Sequence, residues 1–186
     1  MTQKNVIILF GTNYGSTKEI AETIAEVLQK NNIATNVKNL EEAKKIPPIQ
    51  NYNGIIIGTS MKINSWKKHV KKYLEKNQDD IKNSKIKFGM FTCGANAITN
   101  QEKAREEIKE KLNEYYDLKA DLFEAFAGVL DLSENSNVGF LGKKALKLAA
   151  KEMLQTSEFQ FDPEGRNDYR DWEGIKKFAQ DFIEIL

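Results

Sequence analysis

Cysteine is nearly missing from this chain: Cys93 is the only one in 186 residues. A lone thiol cannot build an internal disulfide framework or a multi-cysteine metal site. Its scarcity fits a reducing compartment, so a cytoplasmic location is expected. Histidine is equally scarce. His69 stands alone, no metal-ligand cluster accompanies it, and no metal site is expected. No apolar run approaches the length of a membrane span. Strand-like sequence begins within the first residues, so no cleavable signal peptide is expected. A dominant charge sign is missing too. Lys and Arg total 28 against 27 Asp and Glu, a net charge of +1. So balanced a charge selects no nucleic acid or other charged partner by its overall field.

Two familiar phosphate-binding signatures are also absent. The loop after the first apolar run is too short for a Walker A box and lacks its Gly-Lys-Ser/Thr ending. It lacks the Gly-x-Gly-x-x-Gly spacing of a dinucleotide turn. What is present is Phe10-Gly11-Thr12-Asn13-Tyr14-Gly15-Ser16-Thr17, set between the strand-like run Val6 to Phe10 and an amphipathic helix. A strand, a short hydroxyl-rich loop and a helix N-terminus bring backbone N–H groups, hydroxyls and partial positive charge together. With one interior glycine, this cradle suits a single phosphate monoester better than a pyrophosphate, which points to a mononucleotide. The plain alternative is an ordinary strand–turn–helix corner rich in capping residues.

The length suits one domain spanning 1–186. Strands are expected at Val6 to Phe10, Ala34 to Leu40, Gly54 to Ser60, Ile86 to Gly94 and Leu122 to Leu132. Helices are expected at Ser16 to Lys30, after Ser65, at Thr99 to Tyr116, and from Asp171 to Leu186. Trp66, Val70, Tyr73 and Leu74 share a helical stripe, which predicts a core position for Trp66. Thr99 and Glu102 have capping-box spacing. Strands separated by helices predict an α/β fold with a parallel sheet covered on both faces.

The loop from Thr12 through Asn13, Tyr14, Gly15 and Ser16 to Thr17 resembles the FMN-phosphate loop of the flavodoxin superfamily. The resemblance implies a flavodoxin-like three-layer sandwich, with five parallel strands in the order 2-1-3-4-5. It implies FMN beyond the carboxyl ends of the strands. The phosphate would lie on Thr12, Asn13, Tyr14, Gly15, Ser16 and Thr17. Two further loops would flank the ring: Thr59, Ser60, Met61, Lys62, Ile63 and Asn64, then Thr92, Cys93, Gly94, Ala95 and Asn96. Neither carries the aromatic pair usual in flavodoxins. At least one ring face is therefore expected under aliphatic groups or open to a stacked substrate. Lys62 is a candidate to steady negative charge on reduced flavin or on a substrate. Cys93 has no nameable base beside it and is not expected to act as a nucleophile.

The order of further motifs resembles the flavodoxin-fold, quinone-dependent protoporphyrinogen dehydrogenases and their relatives. These motifs are Ile57 to Ser60, Ala127-Gly128, the basic stretch Gly139 to Leu154, and Asp171-Trp172-Glu173. That resemblance implies an FMN oxidoreductase passing electrons from an organic substrate such as protoporphyrinogen to an acceptor such as quinone. A flavodoxin-type electron carrier docking with redox proteins, and a flavin-free binding module on the same fold, are the competing readings. Residues 133–171 form an insert relative to short flavodoxins. Within it, 139–154 is expected to pack on the sheet, to cap the site mouth, or to lie on a membrane surface. Lys62, Lys67, Lys68, His69, Lys71, Lys72 and Lys76 read either as a solvated face or as a positive rim for an anionic partner.

Overall fold

In a computed structural model, residues 3–62, 64–136, 138–154 and 160–186 are described. The first strand, β1 (Asn5–Gly11), is buried from Val6 onward. Helix α1 (Ser16–Lys30) follows the hydroxyl-rich loop and buries Thr17, Ile20, Ala21, Ile24, Ala25 and Leu28. Next come β2 (Ala34–Asn39), a 3-10 turn at Ile49–Asn51, and β3 (Gly54–Lys62). A short β4 (Ser65–Trp66) precedes α2 (Lys68–Asn83) and β5 (Lys87–Gly94). The chain continues through α3 (Asn96–Thr99), α4 (Gln101–Tyr116), β6 (Leu122–Ala127) and β7 (Val129–Asp131). It ends with α5 (Phe140–Leu154), β8 (Arg166–Asp168) and α6 (Trp172–Ile185).

The main sheet runs β2-β1-β3-β5-β6, all parallel, which is the expected order for the five long strands. Strand alternation divides the core. Ile7 and Leu9 of β1 join Ile55 and Ile57 of β3 under α2 and α4. Val6, Ile8 and Phe10 join Ile56 and Phe91 under α1 and α6. Successive side chains of a strand point to opposite faces, so a run that is apolar at every position needs helices on both sides. Gly58 belongs to this packing, because a Cβ there would stand 2.2 Å from the Phe91 ring. Asp171 caps α6, accepting hydrogen bonds from the Glu173 and Gly174 N–H groups.

Three local expectations need correction. The long strand 122–132 breaks at Gly128. Strand β6 follows β5 only as far as the Gly94–Ala127 pair, and beyond it β7 pairs antiparallel with β8. Helix α2 begins at Lys68, past Trp66, which the helical stripe placed within it. Asn64, in the left-handed region at φ 54°, turns the chain back so that Ser65 and Trp66 pair with Lys62 and Met61. Trp66 is a core residue, but it stands on β4 instead of the helix. Thr99 ends α3, and its hydroxyl donates back to the Asn96 carbonyl. Asn100 caps α4 instead, accepting from Lys103 N–H at 2.9 Å.

Candidate functional site

The carboxyl ends of β1, β3, β5 and β6 open into a cavity of about 530 Å³. This is where a doubly wound sheet offers a crevice, since β1 and β3 are the neighbours from which strand order runs in opposite directions. The β1–α1 loop forms one end of the cavity, with Thr12, Asn13, Tyr14, Ser16 and Thr17 lining it. Gly15 takes φ 103°, a conformation costly for any residue with a Cβ. Its N–H is spent on the Thr12 hydroxyl at 2.9 Å. Its carbonyl accepts from Lys18 and Glu19 N–H and so begins the helix. No side chain caps α1.

Thr17 is the decisive residue in the loop. It is 1% exposed, and its hydroxyl has no hydrogen-bond partner among the described residues. The hydroxyl lies close enough to the Cys93 sulfur to draw that thiol's pKa down, but without hydrogen-bond geometry. A buried hydroxyl without a partner is costly in a native protein, and a ligand oxygen at the helix N-terminus removes the cost. The loop therefore fits a phosphate ester.

Across from the loop, Asn13 Nδ2 donates to Ser60 Oγ at 2.9 Å, joining the loop to the end of β3. Lys67 Nζ donates to Asn13 Oδ1 at 3.2 Å and pairs with Glu41 at 3.0 Å. The Lys67 stem folds over the end of β1, where Gly11 leaves room: a Cβ on Gly11 would lie 2.9 Å from Lys67 Cγ. Lys67 N–H also donates to Thr59 Oγ1 at 3.0 Å. Lys67 is thus not part of a solvated outer face, as its place in the lysine run suggests.

Met61, Lys62, Cys93, Gly94 and Ala95 line the middle of the cavity. Gly94 is held close by its neighbours, with a Cβ there only 2.7 Å from Met61 Cβ. Lys62 Nζ sits 5.9 Å from the centroid of the Tyr14 ring and 3.5 Å from its hydroxyl, spanning the mouth. Burial pushes the Cys93 thiol up to about 12, even with Arg170 and the Thr17 hydroxyl drawing it down. It stays protonated at neutral pH.

The remaining expected site residues lie apart from the cavity wall. Gly15 shapes the loop from behind. The Thr59 hydroxyl donates to the Ser60 carbonyl and accepts from Lys67. Thr92 is buried within β5. The Asn64 carbonyl and Oδ1 accept from Lys111 Nζ at 3.1 and 2.8 Å, which draws that residue toward α4. Asn96 Nδ2 donates to Glu107 at 3.4 Å, while its Oδ1 is buried without a partner. Ile63 lies outside the described residues.

The far wall is what sequence reasoning did not assign. Ile98, Gly128, Val129, Leu130, Val138 and Leu146 supply its apolar lining, beside the polar Asp131, Asn135, Ser136 and Arg166. Helix α5 stands over this wall instead of on the main sheet. Its Ala150 is buried against Ile98 and Leu130, and Leu146 packs beside them. Its sequence offered the sheet, the site mouth and a membrane surface as alternatives for its apolar side. Glu19 was missed as well. It lines the cavity and accepts from Arg170 at 2.8 Å. Arg170 has a side chain only 2% exposed, donates to both Asp168 oxygens and lies 4.3 Å from the Trp172 ring centroid. Burial acts against the charge of Asp168, but the hydrogen bonds and charge of Arg170 outweigh it and hold the carboxyl below its usual pKa.

Among the described residues no group of His, Cys, Asp and Glu can hold a metal ion, and no helix is long and apolar enough to cross a membrane.

The profile of one protein family, the flavodoxin domain, matches residues 7–158. Protoporphyrinogen IX dehydrogenase [quinone] of Escherichia coli strain K12 is 21% identical over 179 residues, covering 96% of this chain and 94% of its own. Among solved structures, oxidised flavodoxin 1 of Bacillus cereus superposes with a TM-score of 0.60 at 16% identity, covering 98% of this chain and 99% of that one. Fusobacterium nucleatum flavodoxin bound to flavin mononucleotide gives 0.52 at 15% identity, covering 98% and 96%. At such identities these likenesses establish the fold.

Proposed function

The chain belongs to the flavodoxin domain family, and we propose that it binds FMN and acts as a flavin oxidoreductase, passing electrons between an organic substrate and an acceptor such as a quinone. The observation that carries the reading is the buried, unpartnered Thr17 hydroxyl at the start of α1, inside a hydroxyl-rich loop at the sheet's switch point. The FMN complex of the Fusobacterium relative supports the choice of nucleotide.

Bound FMN supplies the redox chemistry, and the protein supplies binding, orientation and electrostatics. Thr12, Asn13, Tyr14, Ser16 and Thr17 hold the phosphate, with Gly15 shaping their loop from behind. Met61, Lys62, Cys93, Gly94 and Ala95 frame the ring, Ser60 stands between the ring segment and the phosphate loop through its bond to Asn13, and Thr59, Thr92, Asn64 and Asn96 support those segments from behind. The protonated Cys93 presents a small neutral surface and takes no proton. Lys62 brings positive charge to the mouth.

The apolar wall under α5 favours an organic substrate over a bare electron-carrier role, because it extends the cavity past the ring loops. Protoporphyrinogen is the donor suggested by the Escherichia coli relative. A flavodoxin-type carrier docking with redox proteins is the competing reading. In the same proposal the chain is one domain with 133–171 as its insert, working in the cytoplasm. Exposed Phe140 and Leu148, with Lys144 between them, suit peripheral contact with a membrane through 139–154.

The test is the visible spectrum of purified protein after FMN loading and removal of excess, followed by anaerobic addition of protoporphyrinogen and a quinone. Retained flavin that turns over both supports the proposal. Retained flavin that exchanges electrons only with redox proteins selects the carrier, and no retained flavin overturns both.

A further inference from the structure

The phosphate loop contains no cation of its own: Thr12 to Thr17 reads Thr-Asn-Tyr-Gly-Ser-Thr. A phosphate monoester carries nearly two negative charges at neutral pH. A helix N-terminus offsets only part of that. A positive group is nevertheless built against the loop, one residue removed.

Lys67 is that group. Its side chain is 20% exposed, and its stem lies over Gly11 at the end of β1. Its ammonium can only donate, so the oxygen of the Asn13 amide must face it, at 3.2 Å. The amide nitrogen is thereby turned the other way, toward Ser60 Oγ at 2.9 Å. One amide hydrogen is used there, and a second remains. Ser60 accepts from Asn13, and no acceptor is recorded for its own hydrogen among the described residues. Both residues line the cavity. The chain of contacts therefore ends in two free donors beside the loop, aligned by a cation.

We propose that Lys67 is the counter-charge of the FMN phosphate, acting through Asn13. It orients the amide and, with it, the Ser60 hydroxyl, so that their free hydrogens meet phosphate oxygens, and it polarises the chain toward donation. Lys67 is a positioning residue, and the inference rests on the FMN reading above. Glu41, paired with Lys67 at 3.0 Å, competes for the same charge. The lysine thus divides its charge between a carboxylate on the β2 side and the ligand.

The experiment compares FMN with riboflavin, which has the ring but no phosphate. Fluorescence titrations of the cofactor-stripped wild type, Lys67→Met, Lys67→Arg and Glu41→Gln are run from pH 5 to 8. Lys67→Met is expected to lose roughly tenfold in FMN affinity, the scale of a hydrogen bond to a charged group, with riboflavin affinity unchanged. That loss should shrink below pH 6, where the phosphate takes up a proton. Lys67→Arg should recover most of the affinity, and Glu41→Gln should bind FMN a few-fold more tightly. Equal FMN affinity in wild type and Lys67→Met overturns the inference while leaving the cofactor assignment intact. An equal loss for FMN and riboflavin also overturns it, as a merely structural effect. A wild type that binds no FMN overturns the functional reading itself.

Discussion

Trp66 of β4 stacks on Tyr116 at the end of α4, with ring centroids 6.0 Å apart and planes 7° from parallel. The contact anchors the β3–β4 hairpin, which carries Met61 and Lys62, against a helix of the main core. Trp66 Nε1–H is buried there without an acceptor. Trp66→Phe keeps a stacked ring and removes the orphaned donor, so unfolding free energy should change by less than about 1 kcal/mol. Trp66→Ala should lose about 3 kcal/mol or more. Urea denaturation of the three proteins measures both, and equal losses in the two variants would show that the ring contact is not what stabilises the hairpin.

Thr17 gives a prediction with opposite signs on stability and binding. Thr17→Val removes a buried hydroxyl that has no partner in the free protein. The cofactor-free variant should therefore be more stable by about 1 kcal/mol, while FMN affinity falls about tenfold. Thermal melts with and without FMN read both effects. A variant less stable without FMN would mean that the hydroxyl is already satisfied in the free protein.

The Arg170 cluster gives a pH dependence. Asp168 has its carboxyl held below the usual pKa, so its pairing contributes stability above the ordinary carboxylate range and loses it as pH falls through the depressed value. As pH falls below the ordinary carboxylate range, the wild type should lose more stability than Asp168→Asn does. Arg170→Met should be destabilised by about 3 kcal/mol at pH 7, since it strands Asp168 and removes the link to Glu19 on α1. Chemical denaturation across pH measures this, and parallel acid profiles for wild type and Asp168→Asn would count against it.

Cys93 should be inert. Its sulfur is buried and its pKa is pushed up to about 12, so at pH 8 almost none of it is thiolate. Iodoacetamide should label it only after denaturant is added, and mass spectrometry checks this. Rapid labelling of the native protein would place the thiol in a more open setting than the fold provides.

The sheet was legible in the sequence because a buried parallel strand is apolar at every position. Val6 to Phe10 and Ile55-Ile56-Ile57 leave little alternative. The hydroxyl-rich loop between β1 and α1 was legible because hydroxyls and glycine cluster between two elements of opposite periodicity. Lys67 was not, since a lysine among lysines looks solvated until its stem is seen to cross Gly11. The break at Gly128 was hidden for a similar reason. Leu122 to Leu132 reads as one long strand, and only the end of β5 at Gly94 shows where β6 loses its partner and β7 must find another in β8. The wall formed with α5 joins residues far apart in sequence, Ile98, Leu130 and Leu146, and local pattern carries no record of such contacts.

The most direct test is an equilibrium titration of the cofactor-stripped protein with FMN, followed by quenching of flavin fluorescence, with riboflavin as the comparison. A phosphate cradle at the start of α1 predicts saturation at one FMN per chain and riboflavin binding at least tenfold weaker. No saturable FMN binding, or riboflavin bound as tightly as FMN, would contradict it.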